Sequence, residues 1–100
     1  MAAYAFVVLR YRVPIARVEE LTPGHRAWCA DLHRQGKLLA SGPFVPREGG
    51  GLLLRVEGAE ELTTLLANDP FQIEGIVDTT IHWWAPGLGA AGLDTLPRVG

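Results

Sequence analysis

Two residues far apart in this chain have the side chains of an acid/base pair. His25 lies in the run Thr22-Pro23-Gly24-His25-Arg26-Ala27-Trp28-Cys29, and Asp69 in Asn68-Asp69-Pro70-Phe71. An imidazole titrates at about 6.5, so near neutrality it can both give and take a proton. A carboxylate within hydrogen-bond reach fixes its tautomer and stabilises the imidazolium formed in proton transfer. Thr22 reads as an N-cap and Pro23 as the first helical position, which puts His25 in the first turn of a helix. The positive end of the helix dipole there holds the imidazole neutral, while Asp69 pushes the other way, leaving a poised pair. Plainer readings stand beside this one. A histidine at a helix start can simply bond a nearby backbone group, and an aspartate before proline is a good N-cap for a turn beginning at Pro70. Capping and pairing are compatible for Asp69, because a carboxylate has two oxygens.

Other residues offer less. Ser41 can donate a hydrogen bond to a substrate oxygen, but a serine before Gly42-Pro43 is mostly a turn residue, and a nucleophilic role needs His25 beside its hydroxyl. Cys29 falls on the apolar stripe of the same helix and reads as packing. His33 and His82 show no close metal-ligand spacing with His25, so no metal is expected. Arg26 could steer an anionic substrate, although a solvated surface arginine is the simpler reading. Trp83 and Trp84 alternate on a strand and point to opposite faces, one packing under the helices and one at the subunit interface or cleft, with core packing the default role.

The elements that must position these residues follow from periodicity. Ala3 to Arg12 is apolar at nearly every position, as in a strand covered on both faces. Pro14 ends it, and Val13 to Leu21 reads as a connection with a helical turn. The first helix then runs from Thr22 to about Gln35, with Trp28, Cys29 and Leu32 on one face and Gly36 placed to terminate it. Leu38 to Phe44 is a second strand, Val45 to Gly50 a loop, and Leu52 to Val56 a third strand. Ala59 to Asn68 is a second helix with Glu60 and Glu61 in its first turn, stopped by Asp69-Pro70. A short turn over Pro70 to Glu74 and a final strand, Ile76 to Trp84, complete the order β-α-β-β-α-β. This is the ferredoxin-like α+β arrangement, an antiparallel sheet with both helices on one face. Both alternating sets of the first strand, Tyr4/Phe6/Val8 and Ala5/Val7/Leu9, are apolar. The face without helices therefore calls for a cover, and a second copy giving a dimeric α+β barrel is the simplest.

His25 in the first helix, Gly36-Lys37-Leu38-Leu39 leading into Ser41-Gly42-Pro43, and Asp69-Pro70-Phe71 together resemble the YCII-related (YciI-like) family over about Ala3 to Ala85. The resemblance implies a dimeric α+β barrel with an active site of His25 and Asp69, and Ser41, Gly42 and Pro43 lining the same cleft. It implies a small enzyme without cofactor that uses His25 as general base or acid on a small, aromatic or hydroxylated substrate. Elimination, isomerisation and hydrolysis all suit such a pair. Relatives include a dehydrochlorinase of a chlorinated hydroxyhydroquinone. Two alternatives remain open: a non-catalytic ligand-binding or accessory domain, and a cofactor-free monooxygenase of the kind found among dimeric α+β barrels.

Composition bounds the rest. With 48% apolar residues in 100, the chain is one compact domain and not a disordered one. A net charge of −2, with no cluster of Lys and Arg, argues against nucleic-acid partners and anionic membrane surfaces. There is no stretch of membrane-spanning length and no signal-peptide pattern, and the single cysteine forms no internal disulfide, so a cytoplasmic homodimer, or a higher oligomer, acting on a small molecule is expected. Residues 1–86 read as the domain and 87–100 as a flexible Gly/Ala/Pro-rich tail.

Overall fold

The computed structural model describes residues 2–88, so the expectation for the tail falls almost wholly outside the described residues. Seven elements follow in order: β1 (Ala3–Tyr11), α1 (Ile15–Arg34), β2 (Leu38–Pro43), β3 (Gly49–Val56), α2 (Ala59–Leu66), the single turn α3 (Pro70–Ile73) and β4 (Val77–Trp84). The strands form one antiparallel sheet in the order β2-β3-β1-β4. This is the ferredoxin-like α+β fold expected from the element order.

Strand register explains which side chains are buried. Directly paired residues share a face, so Ala5, Val7 and Leu9 of β1 stand beside Leu54, Leu52 and Gly50 of β3. These aliphatic side chains meet Val18, Cys29 and Leu32 of α1, Leu62 and Leu66 of α2, and Phe71 of α3 in a single core. The opposite face carries Phe6 and Val8, with Phe6 paired to Leu53 and His82. Phe6 is 36% exposed there, although its neighbours Ala5 and Val7 are fully buried.

The first helix is longer than its local signals indicate. Instead of starting at Thr22, α1 begins at Ile15 after Pro14 and runs through Pro23. An interior proline removes one backbone hydrogen bond and costs about 3 kcal/mol, so packing must hold the N-terminal half. Val18 is fully buried, Leu21 packs against the core, and Arg17 spans to Glu74 beyond α3 at 2.7 Å. Thr22, expected as a cap, instead donates its hydroxyl to the Val18 carbonyl at 2.8 Å within the helix. His25 therefore sits in mid-helix, two turns or more from the dipole's positive end.

Two further boundaries move for steric reasons. The glycine run Gly49-Gly50-Gly51, expected to lie in a loop up to Gly50, belongs to β3 and pairs with Arg10, Leu9 and Val8. A side chain on Gly49 would run into the Leu9 carbonyl, so only glycine lets β3 approach β1 so closely. Trp83 and Trp84 do stand on opposite faces, next to Ala5 and Tyr4, but neither is in the core: they are 49% and 46% exposed. β4 is an edge strand, and after Val77 its side chains are all exposed. The default of core packing for these tryptophans is thus overturned.

Exposed Phe6 and Trp84 share the helix-free face, and we propose that a second copy covers it. Sedimentation at micromolar concentration is expected to give twice the 10.8 kDa chain mass. Phe6→Asp is expected to dissociate that species, and a wild type that sediments as a monomer would refute the pairing.

Candidate active site

Asp69 is placed by a chain reversal. α2 ends at Leu66 with Ala67 as its C-cap, and the single turn α3 starts at Pro70, whose fixed φ suits a first helical position. Between them Asp69 takes an extended conformation, and its Oδ1 accepts from the Phe71 amide at 3.1 Å. The N-cap reading is correct. The same oxygen meets His25 Nδ1 at 2.7 Å, so one oxygen serves both roles where the sequence suggests one each. Asp69 is fully buried, and its other oxygen, Oδ2, has no hydrogen-bond partner among the described residues. A carboxylate removed from water in this way requires a nearby counter-charge, which protonated His25 supplies.

His25 is placed by α1 and held on three sides. Its ring stacks on Phe71, with centroids 4.0 Å apart and planes at 7°, and Trp28 lies 5.8 Å away. Gly24 allows the helix to pass close to α3, since a side chain there would press on Pro70 at 3.3 Å. Trp28 fixes the same turn by donating its indole N–H to the Leu65 carbonyl at 3.2 Å. With Nδ1 committed to Asp69, Nε2 has only the Cys29 sulfur beside it, at 3.6 Å, and is the ring atom able to exchange a proton; the imidazole side chain is 15% exposed.

The expected helix-dipole effect on His25 does not apply at mid-helix, and its proton affinity is raised, not poised near neutrality. Burial alone would lower the value. The hydrogen bond to Asp69, the contact with Cys29 and the charge of Asp69 outweigh burial and bring it to about 9. At pH 7 the resting ring is therefore an imidazolium.

His25 opens into a cavity of about 410 Å³ between α1 and the sheet. Ser41, Gly42 and Pro43 of β2 line this cavity with it. Asp69 does not reach the cavity and stands behind the ring. Ser41 is distinct from the histidine's own partners, which are Asp69 and, unanticipated from sequence, Cys29. The Cys29 sulfur lies 3.6 Å from His25 Nε2 and also faces the cavity, though its side chain belongs to the core. The i, i+4 spacing was the available signal, and it was masked because the same positions form the apolar stripe. His33 stands apart, its Nδ1 donating to the Leu38 carbonyl at 2.8 Å.

Comparison with known proteins agrees with this architecture. The model of the YCII-related domain matches residues 4–84. Among solved structures, 5-chloro-2-hydroxyhydroquinone dehydrochlorinase from Burkholderia phenoliruptrix AC1100, in complex with 2,5-dihydroxybenzoquinone, is similar in fold, with a TM-score of 0.73 at 21% identity. The alignment covers 84% of this chain and 95% of that one. No curated protein sequence matches. No helix among the described residues is long and apolar enough to cross a membrane.

A His25 value raised from 6.5 to about 9 means that the folded protein holds this proton more tightly than the unfolded chain. The resulting stabilisation is complete below about 6.5 and is lost as pH rises through about 9. Asp69→Asn keeps the cap but removes the charge, and is expected to cost about 1–3 kcal/mol near pH 7 and less above pH 9.5. Urea unfolding at both pH values checks this, and a cost independent of pH would show that the pair is not ionised.

Proposed function

We propose that this chain, which belongs to the YCII-related domain family, is a small enzyme that moves protons with His25 and needs no organic cofactor. The observation that carries the reading is the 2.7 Å bond from His25 Nδ1 to a fully buried Asp69, with the His25 side chain itself lining a cavity. In this arrangement Asp69 holds the ring's orientation and tautomer, and Nε2 is the atom that exchanges a proton with the substrate.

The resting imidazolium defines the order of events. It donates first, to a leaving group or to an oxygen gaining charge, and the neutral ring left behind can then accept a proton from the substrate's carbon or from water. Elimination, isomerisation and hydrolysis each consist of such an exchange. Elimination is the favoured member, because the similar fold named above belongs to a dehydrochlorinase crystallised with a hydroxyquinone. The stacked Phe71 and the aliphatic Leu9 and Leu52 suit a small aromatic or hydroxylated ring. Ser41, Gly42 and Pro43 are assigned to binding it.

The test is a screen of chlorinated and hydroxylated quinols for proton-transfer products, followed spectrophotometrically. Activity is expected to decline above pH 9 as His25 loses its proton, and His25→Ala is expected to lose about 10²–10⁴-fold in kcat/KM. Wild-type-like turnover in His25→Ala would overturn the assignment. Ligand binding without turnover by the wild type would identify a binding domain instead.

A further inference from the structure

The side chains around the cavity are unlike the chain as a whole. The protein carries 11 acidic and 9 basic residues, yet no Asp or Glu lines the cavity. The cationic side chains lining it are His25 and Arg26 of α1 and Arg47 from the β2–β3 turn, and the other titratable groups there are the Cys29 thiol and the Tyr11 phenol. Asp69 is sealed behind His25, so its charge is spent on that ring and on the Phe71 amide. Arg47 donates from one guanidinium nitrogen to the Thr22 hydroxyl at 3.4 Å, and the other lies at the long distance of 3.9 Å from Glu19, which does not line the cavity. Arg26 makes no ion pair among the described residues. The rest of the lining is mixed: Leu9, Leu52 and Phe71 give it apolar walls, and the hydroxyl groups of Tyr11, Thr22 and Ser41 are its neutral polar groups.

We propose that this cavity binds an organic anion, one small ring bearing a carboxylate or an ionised enol, with its charge held by Arg26 and Arg47. Two guanidinium groups on a wall free of carboxylates favour a planar anion, because each presents a fork of donors matching two oxygens. The apolar walls take the ring. The imidazolium of His25 adds to the same field, so the charged part of the substrate is drawn toward the proton-donating edge. This names the substrate class for the site proposed above and shares its cavity, but it is read by binding and not by turnover.

The experiment is calorimetric titration of two matched pairs of probes: benzoate against benzamide, and 2,5-dihydroxybenzoquinone, ionised at neutral pH, against 2,5-dimethoxybenzoquinone. At least one anion is expected to bind about tenfold more tightly than its neutral partner, and more weakly as salt is raised. Which anion binds distinguishes a carboxylate from an enolate. Arg26→Gln, at an exposed position, is expected to weaken the anion about five- to tenfold without changing the neutral probe or the melting temperature. Equal binding within both pairs, no binding of either anion at millimolar concentration, or an unchanged anion affinity in both Arg26→Gln and Arg47→Gln would overturn the proposal. His25→Ala separates the two readings: unchanged turnover defeats the acid/base role, while the arginine effects stand or fall on the calorimetry alone.

Discussion

The arrangement at the site depends on one buried charge. Asp69 has no exposure, one oxygen doubly engaged and the other without a partner. A carboxylate in that position is stabilised by a counter-ion at hydrogen-bond distance, so the protein holds His25 in place and favours its protonated form. The same need raises the proton affinity of the imidazole, commits Nδ1, and leaves Nε2, 3.6 Å from the Cys29 sulfur, as the exchangeable nitrogen of a ring that lines the cavity. Structural requirement and chemical capacity are therefore one interaction, since what stabilises the carboxylate also prepares the acid.

Bringing the two residues together takes most of the fold. They are 44 positions apart, one in the middle of α1 and one at the start of α3. Both elements lie on the same face of the sheet, where Val18, Cys29, Leu32, Leu62, Leu66 and Phe71 meet the aliphatic side chains of β1 and β3. Phe71 joins the two levels: its side chain is buried in this core, its ring stacks on His25, and its amide holds Asp69. Glycine allows the close approach of α1 to α3 at Gly24 and of β3 to β1 at Gly49.

Much of this was legible in the residues. Alternation and apolar runs located the strands, Gly36 and Asp69-Pro70 marked the helix ends, and the order of elements identified the topology. What local signals misjudged was decided by tertiary packing. Thr22-Pro23 has the form of a helix start, but burial of Val18 and the Arg17–Glu74 ion pair carry the helix through the proline. The glycine run resembles a loop because its use is defined by a neighbouring strand that sequence pattern does not display. The His25 proton affinity followed the same course: the sequence sets a helix terminus against Asp69, but at mid-helix the terminus drops out and the partner in another element prevails. Cys29 was hidden because one position serves both the core and the ring.

Nitrogen-15 chemical shifts of the His25 ring across pH 6 to 10 test the central claim most directly. The account predicts that both ring nitrogens stay protonated to about pH 9, and that Nε2 then releases its proton while Nδ1 retains the bond to Asp69. Titration near the ordinary 6.5, or loss of the proton from Nδ1, would contradict it.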